Sequence, residues 1–455
     1  ENPGNISGWQ TDHAGKLRLA FTADGVNTSI LYRETEQDTF HIILTTDFRE
    51  EVNPMFFTFD NKNLYVSSNR KRDKSALYIF DINTATETDL IFGHDEVDIS
   101  WAMYSKKRKV LTGVSIYTSK QKYHFFDNWR ENVQKDLEEK LPGVEVRLSD
   151  LDDNETMALV RTFNDKTRGA YYLYNTETKE LSKLADISPW LDSSKMANMT
   201  PISYKSRDGL TINGYLTLPK DSSDKNLPVI VNPHGGPWAR NRWGFNSEVQ
   251  FLANRGYAVL QMNFRGSTGY GRNFKEIGFK QWGKSMQDDV TDGVHWLINE
   301  GIADKDRIGI YGGSYGGYAT LAGVTFTPEL YACGVDYVGP SNIFTLLNSL
   351  PPYWELYRQM FYEMVGNPED DKELLEEISP VFHVDKIKAP LFVAQGANDP
   401  RVKQAESDQI VEALRSKGID VQYMLKENEG HGFHNEENRM EFYNAMIEFL
   451  NKHMN

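Results

Sequence analysis

Cysteine is almost missing from this chain: 455 residues contain one, Cys333. An intrachain disulfide is thereby excluded, and the apolar run around Cys333 suggests an ordinary buried small residue. Long apolar runs are missing too. No stretch of 18 or more apolar residues occurs, the length at which a bilayer-crossing helix is read. Positive charge is in deficit, with 50 Lys and Arg against 65 Asp and Glu and a formal net charge of −15. No basic stripe offsets that excess, so nucleic-acid and anionic-membrane partners are not expected. There is no Cys/His cluster and no H-E-x-x-H spacing, so neither a metal nor another cofactor is expected. A length of 455 residues suggests roughly two to four domains with ample core.

What the chain does have is Gly312-Gly313-Ser314-Tyr315-Gly316-Gly317, placed between the apolar run Arg307–Tyr311 and a helix-like stretch from Tyr318 to Phe326. A serine on a strand-to-helix turn is the setting in which G-x-S-x-G forms a nucleophile elbow. The turn is tight, so the positions two before and two after the serine must lack bulk; here they are Gly312 and Gly316. The amide of Tyr315 would point to the same spot as the serine hydroxyl and could bind an oxyanion. A phosphate loop is excluded, because no Lys-Ser or Lys-Thr follows the glycines and no G-x-G-x-x-G spacing is present. The remaining plain reading is a glycine-rich turn carrying a surface serine.

A serine hydroxyl needs a histidine to take its proton and a carboxylate to orient that histidine. In α/β-hydrolases these follow in the order Ser, Asp or Glu, His. Leu391–Gln395 reads as a strand running into the turn Gly396-Ala397-Asn398-Asp399-Pro400, and Val421–Leu425 as a strand leading to Glu429-Gly430-His431-Gly432-Phe433. Asp399 and His431 are therefore the candidate acid and base. Asp336, Asp385 and His434 are their rivals: Asp336 comes too early in the order, Asp385 lies in a polar connector, and His434 lacks flanking glycines. The second oxyanion donor is expected after the strand Pro228–Asn232, where Pro233-His234-Gly235-Gly236-Pro237-Trp238 follows.

Together His234-Gly235-Gly236-Pro237, Asn263-Phe264-Arg265-Gly266-Ser267, Gly313–Tyr318, Asn398–Val402 and Gly430–Phe433 make residues 196 to 455 resemble the prolyl oligopeptidase family of serine peptidases. The resemblance is closest to the acylaminoacyl-peptidase and dipeptidyl-peptidase branch. It implies a triad of Ser314, Asp399 and His431, and oxyanion amides from Gly236 and Tyr315. It implies substrate contacts from Arg401, which could equally be a solvated charge, and from Trp354, Tyr357 and Phe361. Those three share a face if the segment is helical, a stripe that spacing alone would assign to core. Val338 and Val402 are further implied pocket walls. One departure stands out. Dipeptidyl members capture a free amine with acidic residues on the N-terminal domain, and nothing around the pair Glu50-Glu51 looks like that motif, so no dipeptidyl specificity is assigned.

Residues 1 to 190 read differently, as short runs rich in Tyr, Phe, Ile and Val. Ile30–Tyr32, Leu77–Asp81, Tyr123–Asp127 and Tyr171–Asn175 recur at intervals in the range of propeller blades, roughly 40–50 residues. A charged helix-like insertion is expected at Asp136–Lys140. The expected architecture is an α/β hydrolase with a mostly parallel, doubly wound sheet over 196–455, preceded by an all-β propeller over 1–190. About four units fit, whereas the resembled family carries more blades. Position 1 is Glu, not Met, and the expectation is that the chain is the C-terminal portion of a longer protein. A cytoplasmic location is expected, with a periplasmic or secreted one left open. The expected partners are short peptides, and homo-oligomer formation stays open. A serine peptidase is the first functional expectation; a carboxylesterase with the same triad and a non-enzymatic propeller scaffold are the alternatives.

Overall fold

In a computed structural model the described residues are 5–454; Glu1, on which the reading of a missing start rests, lies outside them. The described chain divides into two compact units. The first runs to Met196 and includes the short segments Arg242–Ser247 and Gly269–Asn273. The second comprises Ala197–Asn241, Glu248–Thr268 and the chain from Phe274 onward.

The first unit consists of small antiparallel sheets in which consecutive strands pair in chain order, as in propeller blades. Three have four strands: Ile6–Thr11 to His41–Asp47, Val52–Phe57 to Thr86–Phe92, and Glu145–Leu151 to Leu181–Asp186. One has three, from Ile99–Ser105 to Gln121–Phe125. All four repeated runs fall on the third strand of a sheet: Asn27–Tyr32, Ala76–Asp81, Gln121–Phe125 and Ala170–Asn175. The first two sheets share a core in which Leu19 and Ile30 meet Phe57, Leu64 and Phe80.

Where a fourth strand would complete the three-stranded sheet, the chain forms the helix Asn128–Lys140. This is longer than the expected insertion at Asp136–Lys140. The Asp127 carboxylate caps the helix by accepting the Arg130 amide. Val133 and Leu137, one helical turn apart, then bury against Val146, Ala158 and Val160 of the following sheet. Charge dominates the exposed side, which is why the sequence pattern showed only the last turn.

The second unit is built on one eight-stranded sheet. Its spatial order is Met199–Lys205, Thr211–Thr217, Ala258–Asn263, Leu227–Val231, Ala303–Gly313, Cys333–Tyr337, Leu391–Gly396, Val421–Lys426. The first two strands are antiparallel to their neighbours and the rest run parallel. The central parallel strands are mostly apolar because helices cover both faces; Leu391–Gly396, for example, is buried at every position. Helix Ser285–Asn299 buries Val290, Val294 and Leu297. Helix Glu436–Met454 buries Phe442, Met446, Phe449 and Leu450. Ligand sites in such sheets lie beyond the carboxyl ends of the strands, where the order reverses. Here the reversal falls between Leu227–Val231 and Ala303–Gly313. Among the described residues no helix is long and apolar enough to cross a membrane.

Candidate active site

Strand Ala303–Gly313 ends and helix Tyr315–Phe326 begins with only Ser314 between them. Ser314 takes φ 59° and ψ −121°, a backbone state that costs an ordinary residue about 1–3 kcal/mol. The neighbouring glycines make the turn feasible. A Cβ on Gly312 would sit 2.5 Å from the backbone of Gly316, and one on Gly316 would sit 2.3 Å from the Pro233 carbonyl oxygen. Neither position accepts a side chain.

Asp399 follows strand Leu391–Gly396 and is buried. Its Oδ1 accepts the amides of Arg401 at 2.8 Å and Val402 at 2.9 Å, which leaves Oδ2 facing His431 Nδ1 at 2.7 Å. The loop that brings His431 there is fastened by Glu429, whose carboxylate accepts the amides of His434 and Asn435, each at 2.9 Å. Its carbonyl accepts the Asn398 amide at 2.9 Å, tying the acid loop to the base loop. Gly432 turns the chain at φ 94°, which a residue with a Cβ rarely adopts. His434 is exposed. Asp336 is fully buried in its strand, accepting the Gly339 amide, and burial pushes its carboxyl well above the ordinary range. Asp385 is exposed in the segment Pro380–Lys386.

Tyr337 links the serine turn to the histidine loop, and sequence reasoning missed it. Its carbonyl accepts the Ser314 amide at 2.9 Å, and its hydroxyl accepts the amide of Phe433, two residues beyond His431. The ring stacks on Phe442 at 4.5 Å between centroids, so its place is set by the core. No motif surrounds Tyr337; only the pairing of its strand with both neighbours gives it this reach.

The loop after Leu227–Val231 lies against the serine. A Cβ on Gly235 would be 3.0 Å from the Gly313 carbonyl and 3.5 Å from Ser314 Cβ. Gly236, at φ 126° and exposed, has room for its backbone only, because a Cβ would stand 2.9 Å from the Trp238 amide. A cavity of about 310 Å³ has Ser314, Tyr315 and Gly236 in its wall. Trp354, Tyr357, Phe361, Arg401 and Val402 line it as well, whereas Val338 does not: it is 3% exposed and donates its amide to Ala394, which turns it into the sheet.

The aromatic stretch is not one helix. Pro351 and Pro352 open a 3₁₀ turn, Pro352–Tyr357, before the helix Arg358–Met364. Trp354 and Tyr357 still align, because residues three apart eclipse in a 3₁₀ turn. Trp238 and Trp282 complete the aromatic wall. Neither had a periodicity to announce it, although Trp238 directly follows the Gly-Gly-Pro turn. Among the described residues that line it there is no carboxylate, and the one charged group, Arg401, rests over Trp354 at 5.9 Å.

Behind the loop, Arg265 is clamped. Its Nε and Nη2 donate to the two oxygens of Asp289 at 2.9 and 2.8 Å, and Asp208 takes a third bond at 2.8 Å. Although burial disfavours its charge, these carboxylates push the guanidinium further up. Asp289 is 0% exposed and also accepts the Ser206 hydroxyl. Removing one member of such a buried pair leaves the other charge stranded. Asp289→Ala is therefore expected to lower unfolding free energy by about 3–5 kcal/mol in denaturant titration, and a change below about 1 kcal/mol, the scale of an exposed pair, would contradict this account of the clamp.

Residues 243–455 match the model of the prolyl oligopeptidase family. The chain is 40% identical over 420 residues to dipeptidyl aminopeptidase BIII of Pseudoxanthomonas mexicana, a match covering 90% of this chain and 59% of that protein. It is 34% identical over 445 residues to dipeptidyl peptidase family member 6 of Caenorhabditis elegans, covering 92% of this chain and 60% of that one. It thus spans about three-fifths of the length of these relatives. Among solved structures, a puromycin-hydrolyzing peptidase of Mycobacterium tuberculosis superposes with a TM-score of 0.82 at 21% identity, over 99% of this chain and 70% of the other. The α/β unit and the sequence match have one common explanation over the matched segment: residues 243–455 belong to the prolyl oligopeptidase family.

Proposed function

We propose that the protein is a serine peptidase that cleaves short peptides by acyl transfer, with Ser314 as nucleophile. The observation that carries this reading is the apolar cavity whose wall contains Ser314 together with Gly236 and Tyr315. A substrate side chain in that cavity would present its own carbonyl to the serine. His431 takes the Ser314 proton as Oγ attacks, and Asp399, bonded to Nδ1, keeps the other ring nitrogen turned to the serine and stabilises the imidazolium. The amides of Gly236 and Tyr315 receive the negative charge that develops on the substrate oxygen. His431 then gives its proton to the departing amine, and water repeats the steps to release the acid.

The cavity's chemistry suggests the residue before the cut. With tryptophans, Tyr357, Phe361 and aliphatic side chains in the wall and no carboxylate, it suits a large apolar side chain, whose burial contributes about 1.5–3 kcal/mol. Peptide anilides with Phe or Leu there should exceed the Ala analogue in kcat/KM by roughly 10- to 100-fold, and Asp should be near background because its charge would lose solvation unpaired. A preference for Lys or Asp would overturn this assignment of the cavity. Comparing a p-nitroanilide with the matching p-nitrophenyl ester tests the reaction class, and turnover of the ester alone points to a carboxylesterase.

A narrower reading is favoured by the 40% identical relative named as a dipeptidyl aminopeptidase: release of dipeptides from a free N-terminus. A dipeptidyl anilide with a free amine should then turn over at least about tenfold faster than its acetylated form, a difference of roughly 1.4 kcal/mol. Equal rates would remove that reading and leave the peptidase proposal standing.

A further inference from the structure

Strand Leu391–Gly396 is buried at every position, and Gln395 is its one side chain with hydrogen-bonding groups. A buried amide is costly unless its donors and acceptor are paired. Here each of them is. Nε2 donates to the Gly396 carbonyl at 2.9 Å and to the Val402 carbonyl at 3.0 Å. Oε1 accepts the hydroxyl of Ser407 at 2.9 Å, a residue that is itself fully buried on helix Gln404–Ser416. The two carbonyls fix which way the amide points, because only its NH₂ end can meet a pair of acceptors.

Gly396 and Val402 are the two ends of the loop that carries Asp399. Both are also bonded to Asp399. The Val402 amide donates to the Asp399 carboxylate, at Oδ1, over 2.9 Å, and the Gly396 carbonyl accepts the Asp399 amide at 3.3 Å. One side chain thus grips, at either end, the peptides that hold the acid by its carboxylate and by its backbone. A shift of either carbonyl moves the carboxylate, whose Oδ2 stands 2.7 Å from His431 Nδ1. Gly396 also packs on the Gly430 carbonyl so closely that a Cβ would overlap it, so the same grip bears on the loop that carries the base.

The grip is set on rigid elements. Gln395 projects from a strand inside the sheet, paired with Leu425 of the next strand, and Ser407 from the first turn of a helix. A group supported in this way stays within the narrow geometry that proton transfer needs.

We infer that Gln395 is a positioning residue for Asp399: anchored by Ser407, its amide clamps both ends of the acid loop and so sets the bond between Asp399 and His431. The inference rests on the acyl transfer proposed above. Because that bond stabilises the imidazolium formed during reaction and does not hold substrate, the effect belongs in kcat and not in KM.

The test measures steady-state kinetics on a peptide anilide. Gln395→Met keeps an unbranched side chain of similar length and removes both donors. It should lower kcat about 10- to 100-fold, the scale of a catalytic group displaced by about 1 Å and well short of the roughly 10⁴-fold expected for Asp399→Asn. KM should stay within about threefold, with the unfolding midpoint still above the assay temperature. Added to Asp399→Asn, Gln395→Met should change kcat by less than about threefold, because the amide acts through Asp399; a purely structural loss would multiply with that of Asp399→Asn. Multiplied losses or an unchanged kcat would overturn the inference. So would a rise in KM alone, which would mean that Gln395 shapes the cavity through Val402. If Gln395→Met does not fold, Gln395→Glu carries the same expected loss, since it keeps the shape and the Ser407 bond but has at most one proton for two carbonyls. Fluorophosphonate labelling separates the two ideas: an unlabelled wild-type protein defeats the acyl-transfer reading, whereas labelled wild type with full turnover in Gln395→Met defeats only the positioning role.

Discussion

Ser314→Ala is expected to lower kcat on a peptide anilide by about 10⁶-fold, the scale seen when a serine hydrolase loses its nucleophile, and to abolish covalent labelling by a fluorophosphonate. The substitution tests chemistry with little disturbance of the fold. The strain at φ 59° and ψ −121° is set by the backbone around the serine, chiefly the Ser314 amide bond to Tyr337 and the close approach of Gly316 to the Pro233 carbonyl. Alanine keeps every one of those contacts. Its thermal midpoint should accordingly stay within a few degrees of wild type, about 1 kcal/mol or less for a domain of this size. Residual turnover would come from oxyanion donors and binding alone, about 10³–10⁴ over water. An alanine variant that retains a tenth of wild-type activity would mean that the hydroxyl at 314 is not the attacking group.

Asp399→Asn is the second large effect expected, about 10⁴-fold in kcat, and its origin is a tautomer. Oδ1 is held by the amides of Arg401 and Val402, and the asparagine carbonyl can replace it there. That choice places the new NH₂ where Oδ2 now stands, 2.7 Å from His431 Nδ1. A donor at that point requires Nδ1 to accept, so the ring proton moves to Nε2. The nitrogen meant to take the serine proton is then already occupied. Substrate binding does not depend on this switch, so KM should change by less than about threefold while kcat collapses. Fluorophosphonate labelling, which needs the same base, should slow in parallel. A loss confined to KM would indicate that Asp399 shapes the cavity mouth through Arg401 and Val402, with no role in orienting His431.

The fold was legible where a local rule had one solution. Strands buried on both faces are mostly apolar, which made Leu227–Val231 and Leu391–Gly396 readable as sheet interior. The blade period was legible because the third strand of each propeller-type sheet carries the same aromatic-aliphatic run. The helix Asn128–Lys140 was legible only in its last turn. Its buried residues Val133 and Leu137 answer to a neighbouring sheet that no local pattern reveals.

Within the site the same division holds. Gly312 and Gly316 could be named from spacing, since backbone packs against backbone there and no side chain fits. Tyr337, Trp238 and Trp282 could not. Each acts through a partner distant in the chain, as Tyr337 does with Phe433 and Trp238 with Trp282. Val338, implied as a pocket wall by the resemblance alone, is buried and donates its amide to Ala394, and the residues that line the cavity do not include it.

By itself, the order of residues determined which groups could do chemistry here: a serine between obligatory glycines, then an aspartate, then a histidine between glycines, each beyond the end of an apolar strand. Those are consequences of local sterics and hydrogen bonding, which act over a few residues. Tertiary structure alone decided which nitrogen of His431 faces Asp399 and what walls the cavity. Such choices depend on distances of about 3 Å between groups far apart along the chain, and only the packed sheet sets those distances.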